Sequence, residues 1–129
     1  VLAPGELVTA VVVPAPPPRT GKHYLKHGRR KAMELATVGV GVSLTLDGGA
    51  CREIRIALGA VAPTPIRARR AEDALRGRTL EGAAIETAAR IAMGESRPIS
   101  NVRGSADYRR EMVGVLTQRA IERAMEAVR

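Results

Sequence analysis

The stretch LATVGVGVSLTLDGGACREIRIALGAV, residues 35–61, decides the fold. Val38, Val40, Val42, Leu44 and Leu46 fall on one parity, and Thr37, Gly39, Gly41, Ser43 and Thr45 on the other. After Asp47-Gly48-Gly49-Ala50 the alternation resumes, with Ile54, Ile56, Leu58 and Ala60 set against Cys51, Glu53, Arg55, Ala57 and Gly59. Period 2 on both sides of a turn predicts a β-hairpin with one apolar face. Facing residues of an antiparallel pair share a face, so the large apolar residues must pair even with even. A three-residue loop, Gly48-Gly49-Ala50, meets this condition and pairs Leu46 with Arg52, Leu44 with Ile54 and Val42 with Ile56. Gly39, Gly41, Ala57 and Gly59 then lie together on the second face as a smooth patch. Glycine inside a strand weakens it and often marks the close approach of another backbone. The patch therefore takes another domain or subunit, or a helix of this same chain.

Working outward, residues 6–13 are β-branched and predict a further strand, ended by Pro14, Pro16, Pro17 and Pro18, which cannot donate to a ladder. Arg19 to Lys31 holds six Lys or Arg in thirteen residues with no evident apolar period. It predicts a loop with one helical turn near Tyr24-Leu25. Beyond the hairpin come three helical patterns. Ala68, Ala71 and Leu75 line the first, over 67–76, with Gly77 suited to its C-terminal cap. Thr79 is the candidate N-cap of a second, which runs to about Met93 and carries Leu80, Ala84, Ala88 and Ile91 in a stripe. The third starts near Ser105 and presents Met112, Val113, Leu116, Ala120, Ala124 and Ala127. Strands first and helices after give an α+β class: a small antiparallel sheet of about three strands with about three helices packed on it.

At 129 residues the chain reads as a single domain, 1–129. Only Tyr24 and Tyr108 are aromatic, so the core must be aliphatic. No apolar run approaches the roughly 20 residues of a membrane span, and Pro4 and Glu6 interrupt anything like a signal peptide. The lone Cys51 excludes an internal disulfide and a cysteine metal cluster, which fits a reducing, cytoplasmic setting. The net charge of +8 admits a basic nucleic-acid-binding module as an alternative, although the stacking aromatics such binders use are missing.

No catalytic residue is expected. His23 and His27 are the only histidines and lack acidic neighbours, so no metal site is expected there. Carboxylates such as Glu72, Asp73, Glu81 and Glu86 lie beside arginines in amphipathic helices, where ion pairing explains them. Neither a dinucleotide fingerprint nor a phosphate loop occurs.

Three segments carry a resemblance. Tyr24-x-Lys26-x-Gly28-Arg29-Arg30 with Ala32 to Ala36 is the first, and Leu44 to Gly49 with Arg55 to Pro65 the second. Arg103-Gly104-Ser105-Ala106-Asp107-Tyr108-Arg109 is the third. In this order they resemble the C-terminal domain of the flavoprotein (medium) subunit of carbon monoxide dehydrogenase and its relatives in the xanthine dehydrogenase family. Glu34 and Asn101 depart mildly from the family's usual Asp. The resemblance implies an accessory domain of a molybdenum hydroxylase, an oxidoreductase. In that complex electrons pass from a molybdopterin subunit through an iron–sulfur subunit to FAD. It implies that FAD is held by N-terminal FAD-binding domains of the same subunit, which this chain lacks, so that the chain alone neither grips FAD firmly nor catalyses. It matches Lys26 to a lysine near the flavin. Gly39, Gly41, Ala57, Gly59, Arg103 and Arg109 become candidates for contact with the rest of the subunit or its partner subunits.

Overall fold

The computed structural model describes residues 2–128. Its elements are β1 (Thr20–His27), β2 (Val38–Asp47), β3 (Ala50–Gly59), β4 (Ile66–Arg67), α1 (Arg69–Leu75), α2 (Gly82–Glu95) and α3 (Ala106–Glu126). The four strands form one antiparallel sheet in the order β1-β2-β3-β4. Helix α3 packs on β1 and β2, α1 packs on β3, and α2 lies across α1 and α3. The α+β class predicted from the hairpin is the observed one, with four strands among the described residues where about three were expected.

The core sits between the sheet and the helices. Val38, Val40, Val42 and Leu44 of β2 and Ile54, Ile56 and Leu58 of β3 are buried there. They meet Ala71 and Leu75 of α1, Ile85, Ala88 and Ala92 of α2, and Val113, Leu116, Ala120, Ile121 and Ala124 of α3. Alanine on the helices lets them approach a sheet of branched residues closely, which is how a core without Phe or Trp closes.

Several local readings are corrected. Of the expected loop over 19–31, Thr20–His27 forms strand β1, which leaves no helical turn at Tyr24-Leu25. Gly21, His23, Leu25 and His27 point inward while Lys22, Tyr24 and Lys26 point outward. Its alternation is hidden because Gly and His hold inward positions that normally carry aliphatic residues. The expected strand over 6–13 takes no place in the sheet, since β-propensity does not supply a partner edge. The hairpin loop has two residues, not three. Asp47 pairs with Ala50 and Leu46 with Cys51, while Leu44–Ile54 and Val42–Ile56 pair as expected. A bulge between Thr45 and Leu46 restores the parity by leaving Arg52 as the extra residue, so the Leu46–Arg52 pair does not form. Gly48 (φ 57°) and Gly49 (φ 89°) are both left-handed, as a tight two-residue turn demands. Thr79 does not cap α2. It bridges to Ala50, and Glu81 stands at the N-cap position instead. The third helix starts where expected, and Ser105 caps it, its Oγ accepting from the Tyr108 amide at 3.1 Å.

Candidate functional site

The hairpin's second face carries no helix. Gly39 pairs with Gly59 and Gly41 with Ala57, so the four small residues form one continuous patch. The helices lie on the opposite face. Of the two occupants the sequence left open, a helix of this chain is therefore not what covers the patch among the described residues.

Part of the patch is roofed from within. Tyr24 pairs with Gly41 across the β1–β2 ladder, and its ring leans over Gly39. A Cβ built on Gly39 would stand 2.7 Å from Tyr24 Oη, so glycine there is what lets the ring lie flat. Beyond the ring the surface opens into a groove of about 470 Å³ lined by Lys22, Tyr24, Gly41, Ser43, Arg55, Ala57 and Arg67, with His23 and Val42 at its floor. The extended Val13–Pro17 segment lies along the neighbouring groove, beside Lys22, Ser43, Thr45, Glu53 and Arg55.

The face is cationic. Arg55 is paired with Glu53 at 2.8 Å. Arg67 donates through Nε and Nη2 to both oxygens of Glu72, each at 2.6 Å, and the same carboxylate accepts from the Ile56 amide at 2.8 Å. Glu72 is buried, and its hydrogen bond and charge raise the pKa of Arg67. Lys22 and Lys26 differ. Among the described residues neither meets a carboxylate, and Lys26 Nζ donates to the Glu34 backbone carbonyl at 3.0 Å. A neutral acceptor orients the ammonium without cancelling its charge. Lys26 faces Gly39 in the ladder and so belongs to the helix-free face, beside Tyr24.

The arginines of the third motif part company. Arg109 is buried. Its Nη1 donates to the carbonyls of Thr37 and Ala60, both at 3.1 Å, and its Nη2 to Asn101 Oδ1 at 2.6 Å. It ties α3 to the segments flanking the hairpin and, expected at an interface, is turned into this domain instead. Every one of those acceptors is neutral, so the guanidinium charge is buried without a carboxylate. Arg103 stays half-exposed in a cleft of about 480 Å³ with Arg29, Arg30, Met33, Glu34, Leu35 and Val102. Met33, Leu35 and Val102 are exposed there, an apolar feature that type and spacing did not reveal.

The two histidines do not converge. Four residues along a strand put them about 13 Å apart, and His27 Nε2 is hydrogen-bonded to Tyr108 Oη at 2.9 Å. Among the described residues no group of three His, Cys, Asp or Glu could hold a metal, and no helix is long and apolar enough to cross a membrane. Cys51 is buried at the end of the hairpin, and burial raises its thiol from 9.0 to about 11 against the opposing charge of Arg76. The Arg67–Glu72 clasp was also missed. Arg67 and Glu72 are five residues apart across the start of α1, a spacing that matches neither the three- nor the four-residue separation of a helix pair and so gave no signal.

Comparison with known proteins accounts for this arrangement. Residues 23–124 match the family model of the CO dehydrogenase flavoprotein C-terminal domain. The carbon monoxide dehydrogenase medium chain of Afipia carboxidovorans is 42% identical over 123 residues, which is 95% of this chain and 42% of that one. The xanthine dehydrogenase FAD-binding subunit of Escherichia coli is 31% identical over 114 residues, 88% of this chain and 39% of that one. In the solved carbon monoxide dehydrogenase from Hydrogenophaga pseudoflava, which lacks the Mo-pyranopterin moiety of its cofactor, one chain superposes with a TM-score of 0.87 at 38% identity. The match covers 91% of this chain and 40% of that one. The chain thus spans about two fifths of the length of these relatives. From motif order, sheet topology and match alike, the chain belongs to the family of CO dehydrogenase flavoprotein C-terminal domains.

Proposed function

We propose that the chain serves as the C-terminal domain of the FAD-binding subunit of a molybdenum hydroxylase, bracing that subunit and tuning its flavin. The observation that carries this reading is the helix-free, small-residue, cationic face of the sheet. Its companions are the N-terminal FAD-binding domains of the same subunit, the iron–sulfur subunit and the molybdopterin subunit. Nothing in the comparisons supports the nucleic-acid alternative.

The residues present fit an edge contact with FAD, not a complete binding site. The smooth patch admits a flat body, and Lys22 and Lys26 offer positive charge uncancelled by a carboxylate among the described residues. Backbone loops able to cradle a pyrophosphate are missing from this sequence. FAD, when bound, supplies the two-electron store of the complex. Lys26 holds a positive charge on that side of the sheet, which favours the electron-rich form of the ring.

Ala57→Glu tests the docking reading. Ala57 is exposed in this domain, so the 129-residue chain keeps its melting temperature. In the full-length subunit a carboxylate buried against the FAD-binding part lowers the flavin-to-protein ratio. An unaltered ratio would refute the reading. Lys26→Met in the same subunit tests the tuning. The flavin midpoint potential falls by tens of millivolts, and an unchanged potential removes Lys26 from the site.

A further inference from the structure

The hairpin has two ends, and the chain closes only one of them. Gly48 and Gly49 join β2 to β3 there. At the other end the ladder stops at the Gly39–Gly59 pair, two glycines of the smooth patch. Thr37 and Ala60 lie just beyond that pair. Among the described residues no backbone amide outside the strands and helices donates to either carbonyl. Arg109 Nη1 donates to both, at 3.1 Å each, and Nη2 anchors the fork on Asn101 Oδ1 at 2.6 Å. One guanidinium from α3 thus supplies the link that the open end lacks.

The clamp is kept against three penalties. Arg109 is 4% exposed, and its acceptors are all neutral. Its Nε is buried without a partner, and so is the Oγ1 of Thr37, whose carbonyl it holds. A buried charge without a counter-ion and buried unpaired polar atoms both weaken a fold. Ala60, the other residue held, is left-handed at φ 62° without being glycine. An apolar side chain at position 109 would remove the buried charge and its orphaned Nε. Strain and unmatched polar atoms gathered at one point mark a segment retained for function. Here the point adjoins Gly39 and Gly59.

We propose that Arg109 is a positioning residue for the flavin-bearing assembly. By pinning Thr37 and Ala60 it holds the Gly39–Gly59 end of the patch in the shape against which the FAD-binding part docks. It acts through the backbone of the two strands, from the side of the sheet that carries α3. The proposal rests on the function proposed above.

Flavin release from the full-length subunit tests this, with melting temperatures measured on the same variants. Arg109→Met keeps a long side chain and removes every donor. It is expected to release flavin about 10-fold faster than wild type. Ile85→Ala is the control. Ile85 is buried on α2, which packs on the other helices, and its truncation is an ordinary core loss. That variant melts lower and keeps flavin release within about 2-fold of wild type. Equal release from the two variants would reduce Arg109 to a group that only stabilises, and so overturn the proposal. Asn101→Ala removes one of the three acceptors from an exposed loop and serves where Arg109→Met does not fold. Its release is expected to be about 3-fold faster, and an unchanged rate also overturns the proposal. Ala57→Glu separates this inference from the reading beneath it. If Ala57→Glu lowers the flavin ratio while the Arg109 and Asn101 variants release flavin normally, only the positioning role falls. If all three leave the flavin in place, the proposed function falls with it.

Discussion

Replacing Gly21 by alanine probes the tightest junction in the domain. Gly21 pairs with Leu44 and faces α3. A Cβ there would stand 1.8 Å from the Ala124 carbonyl oxygen and 2.9 Å from the Val128 amide nitrogen. Carbon and carbonyl oxygen rarely approach within about 3.3 Å, so β1 and α3 would have to part by about 1.5 Å. β1 is held by its ladder to β2 and α3 by the core, and neither contact yields freely. Overpacking costs about 1–3 kcal/mol where side chains can adjust, and a clash with backbone puts this case at or above 3. For a domain of this size that corresponds to a melting temperature lower by about 10 °C.

Two controls calibrate the experiment. A Cβ on Gly114 would meet only the Met93 side chain, at 2.6 Å from Sδ, and a flexible thioether can swing away. Gly114→Ala is expected to cost about 1 kcal/mol or less. Gly82 opens α2 with nothing within 4 Å of the added carbon, so Gly82→Ala gains about 0.5 kcal/mol from the smaller unfolded ensemble. Thermal melts of the three variants therefore rank Gly82→Ala above wild type, and Gly114→Ala well above Gly21→Ala. A Gly21→Ala melt within about 2 °C of wild type would refute the close approach of β1 and α3.

The Cys51 thiol is raised in the folded state, from 9.0 to about 11. The unfolded chain therefore loses its proton first, and stability present below pH 9 declines as pH rises toward 11. Cys51→Ala is expected to flatten that decline in urea melts, and an identical pH profile would contradict the burial. Asn101→Asp gives the buried Arg109 guanidinium an ionised partner at an exposed loop position, raising stability by about 1 kcal/mol. A lower melting temperature would show that the neutral acceptors already suffice. Glu72→Ala strands the Ile56 amide and frees Arg67, costing about 3 kcal/mol by denaturant titration.

The hairpin and the three helices were legible because their apolar periods are carried by Val, Ile and Leu in uninterrupted alternation, or by alanine at helical spacing. β1 was not legible, because its inward positions hold Gly21 and His23, residues that carry no hydropathic signal. Position 21, inward by alternation, is glycine for lack of room beside α3, a tertiary constraint invisible before α3 is placed. The bulge at Thr45/Leu46 escaped for a related reason. Parity excludes an unbroken two-residue hairpin, but parity can be restored by a longer loop or by an extra residue in the ladder, and pattern alone does not choose. Of the site residues, the Gly39–Gly59 and Gly41–Ala57 pairs followed from register, which fixes every facing pair at once. Arg109 did not. An arginine is expected at the surface by type, and acceptors outside its helix, the carbonyls of Thr37 and Ala60 and the Asn101 side-chain oxygen, turn it inward.

The glycines of the helix-free face separate what this chain needs from what a neighbour needs. Gly39 is explained internally by the Tyr24 ring. Gly41 and Gly59 are not. A Cβ on Gly41 would lie 3.6 Å from Tyr24 Cδ2, and one on Gly59 3.9 Å from the Gly39 carbonyl oxygen, both ordinary contacts. Neither residue has a positive φ that would exclude alanine. In a strand each glycine costs about 0.5–1 kcal/mol relative to alanine, so the domain on its own is less stable than it could be. Gly41→Ala and Gly59→Ala are thus expected to raise the melting temperature of the 129-residue chain while lowering flavin retention in the full-length subunit. Opposite signs in the two settings are the signature of a surface shaped for another backbone. Should both substitutions stabilise the chain and leave the full-length subunit's flavin untouched, the smoothness of this face would have no docking role, and the cations around it would lose their reason for being there.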